Sequence, residues 1–368
     1  MTSRERLLRL FKGEDIDHVP IWLLFPYFPS GSYANVWEIP SYKSIIQKIY
    51  ECTDTIDRRG FSMGFCYNAN PDIHHEHKQI KENDSVISQR ITSYKDIQLK
   101  SSVTRKEDRT IIEPLVKDVC DLSKILAMPY QQPKPQFQWF FDDQKKFGEH
   151  GLMAVDIGDP LGVLHGLCGE MDFVILCYTE TQAVINFLDV IAERVMNAYR
   201  YLLENNVGDI YWIVGSEFAG PPMLPPKFFD SLVVRYNKPL IDMIHSYGKK
   251  AMIHYHGNIG LILKDFAKIG LDAIHTIESP PMGDCTLTQA REEFGKDVIL
   301  TGNIQIGDLW SKTEEEMEYL VKQTIQEGMK GAFILSTTGG PYAPDIPERV
   351  ANNYLKIIDI ALSCGIYK

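Results

Sequence analysis

Short apolar runs rich in β-branched and aromatic residues recur along this chain, and each ends in polar or Gly-rich positions before a stretch of helical periodicity. Eight such runs predict strands at 20–25 (PIWLLF), 61–66 (FSMGFC), 152–157 (LMAVDI), 209–215 (DIYWIVG), 250–257 (KAMIHYHG), 272–278 (DAIHTIE), 298–304 (VILTGNI) and 332–337 (AFILST). Apolar strands that alternate with helices imply a parallel sheet buried on both faces. Eight units imply an α/β fold of the (β/α)8 TIM-barrel type. An open doubly wound sheet fits less well, because no Gly-rich phosphate fingerprint follows the first strand.

The intervening segments read as helices. Residues 226–246 carry Phe228, Phe229, Leu232, Val233, Tyr236, Leu240 and Ile244 at helical spacing, and Pro239 should kink or split that helix. Residues 313–328 open on Thr313 with Glu316 three positions later, a capping box. Residues 345–363 form a last amphipathic helix, and an N-terminal helix over 2–12 has a similar cap at Thr2 and Ser3 with Glu5. Residues 72–118 break the alternation. They read as polar, alternating hairpin strands inserted after the second barrel strand, followed by helices at 120–128 and 136–148. No repeat or linker divides the chain, so 1–368 is read as a single barrel domain.

With 368 residues, 44% of them hydrophobic, the chain can fill the core of such a barrel. Its formal net charge of -11 disfavours binding to nucleic acid or anionic membranes. Basic pairs such as Arg58-Arg59 and Lys249-Lys250 read as solvated loop charges. No signal-peptide pattern opens the sequence, and no run is long and apolar enough to span a bilayer. Seven cysteines without CxxC spacing argue against disulfides and against a four-cysteine zinc site, so a reduced cytoplasmic protein is expected. A homodimer stays open.

In barrels of this type, catalytic groups come from the carboxyl ends of the strands. Those ends supply Phe25, Tyr27, Asn68, Asn70, Asp156, Glu217, His254, His256, Glu278, Asn303, Gln305, Ser336 and Thr337. The sharpest local pattern is His254-Tyr255-His256-Gly257. Residues i and i+2 of a strand share a face, so both imidazoles could meet one ion, or they could hydrogen-bond neighbouring loops or a substrate. Glu217, in GSEFAGPP, and Glu278, before Ser-Pro-Pro, flank that pair on adjacent strands. Each could ligate the metal, act as general acid or base, or sit in a plain ion pair. Asp156 could pair with a cationic or proton-bearing group of the substrate, or cap the next helix as Asp159 before Pro160 more plainly does. Asn303 could orient a ligand or satisfy a loop. Trp22, Phe25, Tyr27 and Phe28, with Phe65 and Tyr67, could form an aromatic wall at the mouth or merely a core edge. His74, His75 and His77 read as solvated, and Cys168 has no evident partner. There is no GxSxG elbow, Walker A loop or dinucleotide fingerprint.

RERLLRLFKGEDIDHVPIW, KPLIDMIHSYGKKAMIHYHGNI, LTGNIQIGDL and GAFILSTTGGPYAPDIPERVANNYLKIIDIA together make nearly the whole chain similar to the uroporphyrinogen decarboxylase superfamily. That superfamily includes heme-pathway decarboxylases and cobalamin-dependent methyltransferases. The resemblance implies Arg-rich recognition after the first strand in the decarboxylases, but here that segment reads FPYFPSGSY, without Arg, which disfavours an octacarboxylate substrate. In the methyltransferase branch it implies a zinc site of His-x-Cys with a distant Cys. His254 matches the histidine, His256 replaces the cysteine, and Thr338-Gly339-Gly340 lacks the distant thiolate. The resemblance therefore implies methyl transfer between a small O- or N-methylated substrate and a corrinoid partner protein. A zinc held by His254, His256, Glu217 and Glu278, or a protonated carboxylate, would activate the leaving group. Glu217, Asp156 and Glu278 are the catalytic candidates, and Phe25, Tyr27, Asn68, Tyr255 and Asn303 the substrate-binding ones. The alternatives are a decarboxylase or lyase acting on a small carboxylated substrate, with Asp156 or Glu217 as proton donor, and a non-catalytic ligand-binding barrel.

Overall fold

A computed structural model describes residues 1–28, 35–66, 70–82 and 84–367. Eight parallel strands form one sheet: β1 (Ile21–Trp22), β2 (Thr55–Gly60), β7 (Gly151–Asp156), β8 (Ile210–Ile213), β9 (Lys250–His254), β10 (Ala273–His275), β11 (Ile299–Ile304) and β12 (Phe333–Thr337). Their spatial order is β1-β12-β11-β10-β9-β8-β7-β2, with β1 and β2 meeting to close an α/β barrel. Asp54 fastens that seam. Its N–H donates to Ile21 O, and its carboxylate accepts the Ile21 N–H at 2.9 Å. The inserted segment is a four-stranded antiparallel meander of β3 (His74–Glu82), β4 (Ser85–Tyr94), β5 (Ile97–Arg105) and β6 (Thr110–Glu113). It follows the second barrel strand, as the polar alternation predicts.

Two cores follow from strand alternation. Inward residues Trp22, Ile56, Leu152, Ala154, Ile210, Trp212, Met252, Ala273, Ile299 and Ile334 pack inside the barrel. Leu7, Leu10 and Phe11 of the helix Ser3–Lys12 join them, so that helix plugs one end. Its start is capped by Thr2, which accepts the Glu5 N–H at 3.2 Å, and its end by Gly13 at φ 70°. The outward residues pack against the helical layer in a second, larger cluster. No single described helix is long and apolar enough to cross a membrane.

The second barrel strand differs from expectation. Residues 61–66 lie outside any strand, and TIDRRG forms β2 instead. Arg58 and Arg59 are therefore strand residues, not loop charges. Outward Asp57 accepts the Tyr27 N–H at 2.8 Å, and outward Arg59 pairs with Asp143 and lies over the rings of Phe28 and Trp139. Charge is tolerated in this strand because each group finds a partner.

The expected break at Pro239 also moves. The helix runs through Pro239 within Arg235–Ser246, and the irregularity is a π-helical turn one step earlier, at Asp230–Val234. The capping box at Thr313 and Glu316 is formed in both directions. Thr313→Ala is expected to cost about 1 kcal/mol in urea unfolding, the usual cost of losing such a cap.

Candidate active site

The inward side chains at the carboxyl ends of the strands converge on one mouth. Trp212 forms its floor. Its ring stands edge-on to Trp22 at 5.5 Å, lies beneath the Arg58 guanidinium at 4.9 Å, and stacks on His254 at 5.1 Å. Arg58 shares the inward side of β2 with Ile56. Neighbouring β7 brings Asp156 inward beyond Leu152 and Ala154. Burial raises the Asp156 carboxyl above its ordinary range, and the positive charge of Arg58 opposes this.

Glu217 sits on a short 3-10 turn, Ser216–Ala219, just after β8. That turn is fastened from below. Asp159 accepts from Gly162 N at 2.8 Å, Asn237 Nδ2 at 2.8 Å and Ser216 Oγ at 3.2 Å. Gly215 lies at φ 133°, and a Cβ there would come within 2.0 Å of Asp159 Oδ1, so the approach requires glycine. Glu217 Oε2 accepts the Gly215 N–H at 3.1 Å. Burial pushes the Glu217 carboxyl up to about 7. Nearby Asp159 adds to this, while backbone donors and His256 oppose it.

On β9 the strand ends at His254, and His256 lies just beyond it. The two rings come together, with centroids 4.5 Å apart, but they are perpendicular. His256 Nδ1 lies 3.3 Å from Glu278 Oε1, while Glu278 Oε2 accepts the Gly257 N–H at 2.6 Å. Burial alone would lower the His256 pKa, but Glu278 and then Glu217 outweigh it and raise it overall. His254 turns its Nδ1 to a residue that the strand-end reading passed over, His275, at 2.8 Å. His275 is fully buried, and its Nε2 lies 3.0 Å from the Thr337 carbonyl oxygen. Burial pushes His275 down to about 3, and it holds His254 well below the usual imidazole range, with His275, His256 and Arg58 adding to the effect.

Several predicted contacts lie elsewhere. Tyr255, just past β9, points outward, fully buried against Phe229 and Phe266, and its hydroxyl donates to Asn258 O, so it cannot face a substrate in the mouth. Phe25 likewise packs edge-on to Tyr42 and Tyr354 in the outer core. Tyr27 belongs to an aromatic cluster with Phe28, Tyr50, Phe147 and His150 outside the barrel. Asn303 donates to Ser279 Oγ at 2.9 Å and lines a separate cavity of ≈ 460 Å³ beside the loops after β10 and β11. Asn68 lies outside the described residues.

The zinc expectation can be tested against this donor set. His254 Nδ1 is engaged by His275, His256 Nδ1 by Glu278, and Glu278 Oε2 and Glu217 Oε2 by backbone N–H groups. Among the described residues, no three His, Cys, Asp or Glu side chains are placed to hold a metal ion. The candidate ligands are thus not gathered around one point as a zinc site requires.

The family model for uroporphyrinogen decarboxylase (URO-D) matches residues 145–359, more than half of the sequence. The chain belongs to the uroporphyrinogen decarboxylase family. The matched segment carries the mouth residues just described except Arg58 and Trp22. No curated protein gives a sequence match. A solved methyltransferase from Methanosarcina mazei is similar in fold along 98% of both chains, at 16% identity and a TM-score of 0.61. A B12-independent methionine synthase from Shewanella sp. W3-18-1 is more distantly similar, at 13% identity over 80% of this chain and 75% of that one, with a TM-score of 0.42.

Proposed function

We propose that this chain removes a methyl group from a small O- or N-methylated substrate, with Glu217 protonating the heteroatom left behind. The methyl acceptor is a reduced corrinoid carried by a partner protein. The carrying observation is a carboxyl buried in the barrel mouth on a fastened turn, where burial pushes it up to about 7 and so lets it hold a proton near neutral pH. When the methyl carbon leaves, both electrons of the broken bond stay on the oxygen or nitrogen. A proton passed from Glu217 to that atom as the bond lengthens removes the developing negative charge. Solvent then reprotonates the carboxylate. The Methanosarcina protein named a methyltransferase, with the same fold along its length, supports this choice of group.

Arg58 favours a second reading, a carboxy-lyase. Its guanidinium over Trp212 is suited to a substrate carboxylate, and Glu217 would protonate the carbanion that remains once CO2 departs. In the lyase reading Arg58 takes the substrate carboxylate. Arg58→Gln is expected to raise KM for such a substrate roughly tenfold or more, the worth of a charge-assisted hydrogen bond, with kcat changed less. An unchanged KM would remove Arg58 from substrate binding.

One assay separates the two reactions. The purified chain is mixed with cobalt(I) corrinoid and a panel of methoxyaromatic compounds and methylamines, and in parallel with their carboxylated analogues. Methylation of cobalt that depends on both enzyme and substrate supports methyl transfer. Release of CO2 without cobalt methylation assigns the lyase.

A further inference from the structure

We infer that His165 is a positioning residue for Glu217, which it holds through the ring of the next residue, Phe218. The short helix Pro160–His165 follows β7 and grips the Glu217 turn at two points. At its start, the N-cap residue Asp159 accepts from Ser216 Oγ at 3.2 Å, on one side of Glu217. At its end, the His165 imidazole lies face to face with the Phe218 ring on the other side. The ring centroids are 3.4 Å apart and the planes only 6° from parallel. Glu217 therefore projects from a turn whose two flanking residues are both tied to one helix.

The clamp is itself anchored. The His165 ring also stands edge-on to Phe173 at 5.2 Å, and Phe173, on the helix Glu170–Thr179, is completely buried. His165 Nε2 is buried and has no hydrogen-bond partner among the described residues, so the side chain acts here through its flat face. The turn has little rigidity of its own. It is a single 3-10 turn, closed by Phe218 N–H to Gly215 O and Gly220 N–H to Glu217 O, each at 3.2 Å. Asp159 fixes the Ser216 side alone, and Phe218, which is only partly buried, needs a second hold. An acid displaced by about 1 Å can lose on the order of 10²-fold in rate. That catalytic consequence deepens the proposed reaction and rests on it. The clamp on the turn does not.

Three variants of the full-length chain test it. His165→Ala removes the flat face, His165→Phe keeps it, and Phe218→Leu removes the ring it meets. In histidine-labelled protein, the His165 ring protons are identified by their loss in His165→Phe. They should lie upfield in the ring current of Phe218 and return downfield in Phe218→Leu. Hydrogen exchange at the Phe218 and Gly220 amides should be roughly tenfold faster or more in His165→Ala, and close to wild type in His165→Phe. In the cobalt-methylation assay, His165→Ala should lose roughly 10- to 100-fold in kcat with KM changed little, and His165→Phe should recover it. Ring protons at ordinary positions, unchanged exchange in His165→Ala, or a His165→Phe variant as impaired as His165→Ala each overturn the inference. So does a rise in KM with kcat unchanged, which would make His165 a substrate-binding residue. Should His165→Ala fail to fold, Phe218→Leu supplies the same exchange and kinetic readouts. If the wild type itself methylates no cobalt, the proposed reaction fails, and the ring shift and exchange still decide the clamp.

Discussion

Glu217→Gln should lower turnover by roughly 10²–10⁴-fold, the contribution typical of a well-placed general acid. The amide keeps an oxygen to accept the Gly215 N–H, so the turn over Asp159 should survive while the proton is lost. In the wild type the acid form is the active one, so the rate should fall as pH rises through about 7, and the variant should lose that limb of the profile. Wild-type stability should fall over the same range. Folding raises the Glu217 pKa from 4.5 to about 7, so the stability carried by its protonated form is full below about 4.5 and is lost as pH rises through about 7. Above pH 7 the wild type carries a poorly solvated carboxylate that the variant lacks. Glu217→Gln should therefore be more stable there, by roughly 1–3 kcal/mol, and should lose that advantage at pH 4. Urea unfolding at the two pH values checks the sign. A variant that is both slow and destabilised at pH 8 would mean that Glu217 serves the fold rather than the reaction.

The largest expected loss of stability lies at the other end of the barrel. Arg6, on the helix that plugs the barrel, donates to Asp17 Oδ1 at 2.6 Å and to Asp54 Oδ1 at 2.7 Å. The Asp54 side chain is completely buried, and its other oxygen holds the Ile21 N–H at the seam between β1 and β2. Arg6→Ala leaves that carboxylate buried without its cation. Such a loss costs about 3–5 kcal/mol, far more than the pair itself contributes. The double variant Arg6→Met with Asp54→Asn removes both charges and should recover a good part of it. A single-variant loss under about 1 kcal/mol in urea unfolding would show that Asp54 is already satisfied by the backbone.

Most of the barrel was legible because its strands are apolar on both faces. The run read at 152–157 differs by one residue from β7 at Gly151–Asp156, and the loop after β8 delivered Glu217 where a strand end should. β2 was hidden for the opposite reason. TIDRRG is charged, and it survives as a strand only because Asp57, Arg59 and Asp143 satisfy one another across layers, a fact no local pattern contains. Arg58 was lost with it. Other misreadings were avoidable from alternation alone. If His254 points inward, Tyr255 must point outward. The same count from Trp22 and Leu24 turns Phe25 into the outer core. Parity from Ala273 places His275 inward beside His254, so this buried imidazole could have been found. The neighbouring rings of His254 and His256 were expected. Their perpendicular set and the capture of His256 by Glu278 depend on the loops beyond the strands.

The central claim is that a carboxyl in the barrel mouth retains its proton at neutral pH. Carbon-13 NMR of the chain labelled at the glutamate carboxyl, with Glu217 assigned through Glu217→Gln, measures this directly. The account predicts a titration midpoint near 7 for that one signal. A midpoint at the ordinary 4.5 would contradict it and leave the mouth without its acid.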